Sequence, residues 1–275
     1  MSNSKDLPAT YLIRPKAKIN WDLYITGVLP NGYHILDSIV APIDLCDEIE
    51  LSFGHGDGIE VFCDNFQGEN NIVYKAIHAF KQHYPSKSKI IAKIKKSIPH
   101  GAGLGGGSSD AASVLLQLNE HYEYPLSMDK LISVAVSIGA DVPNFFHKGC
   151  RRMTGIGEIV EPVNGQRHEL LLVVPDMPLQ TKEVYAIWDN ISVPEIPPAF
   201  DLRQHNPHNS LQTASVTLCP EIASIVDTLL NLGAKKACMT GSGSVVFGWF
   251  ENEKRANDAL FCLSDRWKLI RTKTY

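Results

Sequence analysis

The sequence predicts an α+β fold of two lobes, and three observations predict it. Residues 13–25 alternate apolar and polar side chains as a half-buried strand does. A glycine-dense loop near residue 100 runs straight into an apolar helical stripe. The second half alternates strands with helices in the order of an α+β sandwich. A chain of 275 residues buries a real core and suits two intimate lobes, which the pattern divides into residues 1–160 and 161–275.

Taken in order, Ile13, Pro15, Ala17, Ile19, Trp21, Leu23 and Ile25 share one face of the first strand. Lys16, Lys18, Asn20, Asp22 and Tyr24 share the other, which faces water or a cleft. Pro30-Asn31-Gly32 makes a turn, and Tyr33-His34 opens the next extended segment. Strands follow at 49–53 and 58–63, and a helix at 71–82 carries Ile72, Ala76, Ala79 and Phe80 on one side. Residues 89–98 alternate again and lead into the glycine loop, after which 109–118 is helical. Ser127 caps a helix over 128–138, with Gly139 as its stop. Residues 139–146 are an irregular connection. Then come a strand at 170–174, a helix at 181–188 and a Pro/Asn-rich loop at 191–208. A helix at 222–232, two strands within 237–250 joined at Gly241-Ser242-Gly243, a helix at 254–263 and a strand at 267–273 complete the chain. Each lobe brings one glycine-rich turn, which places a cleft between them.

Composition narrows the function classes. A formal charge of −4 argues against a nucleic-acid or anionic-membrane partner, so any anion site is built locally. The six cysteines (Cys46, Cys63, Cys150, Cys219, Cys238, Cys262) are scattered without a CxxC pair, which speaks for a reducing cytoplasm and against zinc or a disulfide scaffold. The ten histidines show no metal-ligand spacing, so no protein-bound structural metal is expected. The first residues lack the apolar core of a signal peptide, and no apolar run approaches membrane-spanning length. Oligomeric state is not legible here.

The most informative stretch is Pro99 to Ala112, PHGAGLGGGSSDAA, with five glycines in seven positions. Glycine-dense backbone approaches a ligand closely, and a helix start just after it adds unpaired N–H groups and positive dipole. Together they make an anion site suited to a phosphate chain. Gly101-x-Gly103-x-x-Gly106 matches the dinucleotide fingerprint literally, yet it begins about 100 residues in rather than closing a first strand. No lysine follows the last glycine, so the Walker pattern fails. A flexible linker is the plainer alternative, against which stands the apolar stripe that follows directly.

The run Pro99-x3-Gly103-Leu104-Gly105-Gly106-Gly107-Ser108-Ser109-Asp110-Ala111-Ala112 resembles the phosphate loop of the GHMP kinases. Four further matches stand in the family's order: Ala17-Lys18-Ile19-Asn20, Gly32-Tyr33-His34, Gly139-Ala140-Asp141-Val142-Pro143 and Met239-Thr240-Gly241-Ser242-Gly243. The chain departs from the pattern at Lys16, where proline is usual, at Asp22, where an apolar residue is, and around His208-Asn209-Ser210-Leu211. The resemblance implies a GHMP-kinase-like fold with its active site in the cleft, and an ATP- and Mg²⁺-dependent kinase. The four matches imply an acceptor alcohol carrying a cytidyl group. Homoserine, mevalonate or a sugar as acceptor, or a non-catalytic nucleotide sensor, are the alternatives.

By the same resemblance Asp141 is the general base and Lys18 its cationic neighbour, the pair that phosphoryl transfer to an alcohol needs. Asp141 as a turn carboxylate capping its own backbone is the alternative. Pro99, His100, Gly101, Ala102, Gly103, Leu104, Gly105, Gly106, Gly107, Ser108 and Ser109 hold the ATP phosphates, and Asn71 lines the purine or ribose pocket. Tyr33 and Tyr185 stack on the cytosine, His34 reads its edge, Asn20 holds the alcohol, and Gly241 and Ser242 complete the substrate site. Tyr185 as a core aromatic, and Lys16 as a solvated lysine, are the plainer readings.

Overall fold

A computed structural model describes residues 8–64, 66–197 and 206–275. The middle of the expected 191–208 loop and the first seven residues lie outside these. The elements are β1 (Ala9–Ile13), β2 (Lys16–Asn20), β3 (Asp22–Val28), β4 (His34–Cys46), β5 (Glu48–Gly54), β6 (Ile59–Cys63), α1 (Ile72–His83), β7 (Lys89–Lys95), α2 (Gly106–His121) and α3 (Met128–Ile138). They continue with β8 (Arg151–Gly155), β9 (Ile159–Pro162), β10 (Glu169–Val174), α4 (Thr181–Ile191), β11 (His208–Asn209), α5 (Gln212–Leu218), α6 (Glu221–Asn231), β12 (Lys236–Met239), β13 (Val246–Phe250), α7 (Glu253–Leu263) and β14 (Lys268–Lys273).

Two compact units result, and they interleave along the chain. The first gathers residues up to Ala17 with Leu45–Ile98 and Gly105–Lys148; the second gathers Lys18–Asp44, Pro99–Leu104 and Gly149–Tyr275. A single cut at residue 160 does not describe this division, because 18–44 and 99–104 group with the C-terminal part.

In the first unit, β1, β5, β7 and β6 form one sheet, antiparallel except for the parallel β6–β7 pair. Its register sets Ile49 against Ile94, Leu51 against Ala92 and Phe53 against Ile90, so one face is continuously apolar. Val73, Ile77 and Phe80 of α1, Val114, Leu115 and Leu118 of α2 and Leu131 of α3 bury against that face. α1 and α3 start where side chains cap them: Asn71 accepts from Val73 N, and Ser127 from Lys130 N. α3 ends at Gly139 as expected, but with φ 180°, an extended exit rather than the left-handed glycine stop.

The second unit holds two sheets. β12, β13, β10 and β14 form an antiparallel sheet whose central strand β10 is buried along both faces, from Leu170 to Val174. Leu171 and Val173 pack there with Val184 and Trp188 of α4 and with Ile222, Ile225 and Leu229 of α6. β11, β3, β4, β8 and β9 form the other sheet, with β2 also on β4.

The strand expected over 13–25 is three strands. Proline at 15 has no N–H to donate, and the chain changes partners there, β1 pairing β5 and β2 pairing β4. A second break at Trp21 sends its N–H to Ile39 O, 2.7 Å away. The apolar face is buried as read, but Asn20 and Asp22 on the other face are buried too. Asp22 Oδ1 accepts from Ile39 N at 2.6 Å, which explains a carboxylate where an apolar residue is usual. Strands β8 and β9, the short β11 and helix α5 are additions to the elements expected.

Candidate active site

The glycine loop divides between the units, at Leu104 and Gly105. Its second-unit part packs backbone against backbone. Gly103 has φ +74°, and a Cβ there would stand 2.4 Å from Thr240 O. A Cβ on Gly241 would stand 3.1 Å from Gly103 O. The two glycine-rich turns that the sequence singled out far apart thus touch each other within one unit, and no side chain fits between them. Ala102 and Leu104 are buried and anchor the loop, Pro99 is half-buried, and His100 and Gly101 are exposed.

Lys18 sits on this junction. Its Nζ donates to Gly103 O and to Asn20 Oδ1, both at 2.6 Å. Its backbone N–H donates to Leu104 O at 3.1 Å. Asn20 Nδ2 donates to Ser38 Oγ at 2.8 Å, and its N–H to Thr240 Oγ1 at 2.8 Å. The expected catalytic lysine, the expected substrate asparagine and the loop are therefore one hydrogen-bonded group. Lys16 is exposed, as read.

Asn209 clamps the opposite turn. Its Nδ2 donates to Met239 O at 2.8 Å and Gly241 O at 2.9 Å, while its Oδ1 accepts from Leu211 N at 2.9 Å. Ser242 Oγ is 2.8 Å from Thr181 Oγ1. His34 Nε2 is 2.7 Å from Asp189 Oδ1, and its ring lies 4.5 Å from that of Tyr185. Tyr33 is 60% exposed, an aromatic face open to a ligand, and Tyr185 is half-buried and packs against the hydrophobic core of its unit, as the plainer reading had it.

The first unit holds the helix start. Gly105, at φ +69°, is the N-cap of α2 and supplies no side-chain cap. The N–H groups of Gly106, Gly107 and Ser108 thus form an open positive helix end. Ser109 is committed elsewhere: its N–H donates to Gly105 O and its Oγ to Lys16 O at 2.7 Å. That leaves Ser108 as the loop hydroxyl with no partner among the described residues. Asn71 is likewise engaged, Oδ1 as the α1 cap and Nδ2 on Phe66 O at 2.6 Å.

Beneath the helix start lies a charge cluster that the sequence reading missed. Lys96 Nζ donates to Asp110 Oδ2 at 2.7 Å and to Asp47 Oδ2. Asp47, fully buried, also accepts from Ser97 N at 2.6 Å and Ile98 N at 2.8 Å. Burial pushes the Asp110 carboxyl up to about 7; Lys96 opposes that shift and Asp47 adds to it. For Lys96 burial works downward, but Asp110 and then Asp47 outweigh it and raise the ammonium. No spacing announces this triad, because its members come from β5's approach, the end of β7 and α2.

Asp141 is exposed, just before a 3₁₀ turn over Pro143–Phe146. Its carboxylate has no hydrogen-bond partner among the described residues, so the capping alternative is not realised. Buried Val142, whose N–H donates to Gly139 O at 3.1 Å, pins the turn that presents it.

In the first unit, the helix start after the glycines, with no side-chain cap, has the backbone donors that suit a phosphate chain. The sequence profile for the GHMP kinases N terminal domain matches residues 71–149, and that for the GHMP kinases C terminal domain matches 194–269. The chain belongs to the GHMP kinases, and so is a phosphotransferase with an alcohol acceptor and ATP as its donor. It is 38% identical over 260 residues to the 4-diphosphocytidyl-2-C-methyl-D-erythritol kinase of Syntrophotalea carbinolica, covering 91% of this chain and 93% of that one. The enzyme of the same name from Thermodesulfovibrio yellowstonii is 36% identical over 270 residues, covering 91% and 93%. A crystal structure of 4-(cytidine 5'-diphospho)-2C-methyl-D-erythritol kinase superposes with a TM-score of 0.85 at 28% identity, over 96% of this chain and 99% of that one. The Methanococcus jannaschii mevalonate kinase shares the fold, with a TM-score of 0.73 at 14% identity over 97% and 99%.

Proposed function

We propose that the protein transfers the γ-phosphoryl group of ATP to the 2-hydroxyl of 4-diphosphocytidyl-2-C-methyl-D-erythritol, a step of the non-mevalonate route to isoprenoid precursors, in the cytoplasm. The observation that carries the reading is Lys18 Nζ, 2.6 Å from both Gly103 O and Asn20 Oδ1. It joins the phosphate loop to a residue assigned to the acceptor alcohol. The relatives' names support the acceptor, and exposed Tyr33 beside His34 suits a flat base.

In the reaction Asp141 accepts the hydroxyl proton as the oxygen attacks phosphorus, which an unengaged carboxylate does without first breaking a bond. Lys18 offsets charge growing on the phosphoryl oxygens, and Gly103 O with Asn20 holds its ammonium in place. The N–H groups of Gly106, Gly107 and Ser108 bind the phosphate chain. The donor chemistry here fits Mg²⁺: the Ser108 hydroxyl and phosphate oxygens are the hard ligands it takes. When bound, the ion neutralises β- and γ-phosphate charge.

The test is ADP release with ATP and Mg²⁺ across the cytidyl alcohol, homoserine, mevalonate and sugars. Turnover of the cytidyl alcohol alone is expected; turnover of another alcohol instead, or of none, overturns the reading. Asp141→Asn is expected to lower kcat by at least about 10²-fold with ATP binding kept. Near-normal kcat would remove Asp141 from the chemistry.

A further inference from the structure

We infer that Asp189 makes the enzyme selective for cytosine over uracil by fixing which nitrogen of His34 carries the proton. The inference rests on the proposed cytidyl substrate and deepens it to the choice of base. His34 Nε2 lies 2.7 Å from Asp189 Oδ1, and the imidazole is held at 11% exposure. Its ring centroid is 4.5 Å from that of Tyr185 and 5.4 Å, edge-on, from that of Trp188. Positions 185, 188 and 189 share one face of α4, so a single helix face grips the ring on three sides.

This grip has a chemical consequence. An ionised carboxylate only accepts hydrogen bonds, so Nε2 must carry the hydrogen between them. In the neutral imidazole Nδ1 is then a bare lone pair, an acceptor and nothing else. No described residue bonds Nδ1. Cytosine carries an amino donor at its 4-position, where uracil carries a carbonyl oxygen. An acceptor at Nδ1 takes a hydrogen from the cytosine amine; against uracil it would meet a second lone pair. Leaving a shielded acceptor unpaired separates the two bases by about 10- to 100-fold. Asp189 touches no substrate in this scheme: it is a positioning residue.

The experiment compares the full chain with Asp189→Asn and Asp189→Glu. The measurements are kcat/KM for the cytidyl alcohol and its uridyl analogue, KM for ATP, and long-range ¹H–¹⁵N spectra of His34 without ligand. An asparagine can either donate or accept, so it no longer dictates the tautomer. Wild type is expected to show the Nε2–H form. Asp189→Asn is expected to mix the forms and to lower the cytidyl-to-uridyl ratio about 10-fold or more, with ATP KM unchanged. Asp189→Glu should restore most of the ratio. An Nδ1–H form in wild type, or a variant that loses both bases equally, overturns the inference. Wild-type failure on both alcohols overturns the functional reading beneath it, whereas wild-type turnover with an unchanged variant ratio overturns the inference alone.

Discussion

Replacing Gly103 by alanine puts the junction of the two glycine turns to the test. The residue sits at φ +74°, where an L side chain costs about 1–2 kcal/mol. The added Cβ would also stand 2.4 Å from Thr240 O and 3.3 Å from Gly243 O. Both are backbone atoms that no rotamer change can move aside, so the turn must shift as an overpacked core does, at about 1–3 kcal/mol more. The total is about 2–5 kcal/mol. Gly32→Ala is the control: at φ +84° with nothing within 4 Å, it bears the conformational cost alone. Urea unfolding of both variants measures the difference directly. Because Gly103 O accepts from Lys18 Nζ, Gly103→Ala should also lower kcat while Gly32→Ala leaves that bond intact. A Gly103→Ala protein no less stable than Gly32→Ala would refute the close-packing argument.

Three further outcomes are expected. Tyr33→Ala should raise KM for the cytidyl alcohol far more than for ATP, since base stacking is worth about 1–3 kcal/mol; equal effects on both would refute a stacking role. Asn209→Ala strips two buried carbonyls, Met239 O and Gly241 O, of their donor and should cost about 2–4 kcal/mol in denaturant unfolding, with a loss below 1 kcal/mol counting against the clamp. Asp110, at about 7 in the folded chain against about 4 unfolded, holds an extra proton when folded between those values. The stability this confers is therefore full below pH about 4 and is lost as pH rises through about 7. Asp110→Asn lacks that slope, so its stability should improve relative to wild type from pH 5 to pH 8; parallel curves would refute the raised carboxyl.

Local signals in the sequence carried far. Ser127, the buried run of β10 and the glycine turn at 241–243 all announced themselves, because caps, apolar runs and turns are fixed by a few neighbouring residues. The first strand misled because alternation survives a proline: Pro15 keeps its apolar place while the chain changes partners around it. Strands β8 and β9 went unread because pairing, of β8 with β4 and of β9 with β8, holds them more than their own pattern does. At the site, the motifs pointed to Lys18, Asn20 and the loop, but the partner at Gly103 O depends on a turn that meets it only in three dimensions. Asp47, Lys96 and Asp189 were silent for the same reason, and Asn209 showed only within a segment that departs from the family pattern: their roles are set by distant residues, not by spacing.

The interleaving of the two units governs how the protein is made. The second unit needs residues 18–44 early in synthesis and 149–275 at its end. Strand β3 and most of β4 thus leave the ribosome long before β10, α4 or the 239–243 turn exists, and must wait for them. A fragment beginning at residue 149 would lack β3, β4 and the 99–104 segment. Neither unit is therefore a module that one cut could release or graft onto another protein, and domain exchange among these kinases would have to carry three segments together.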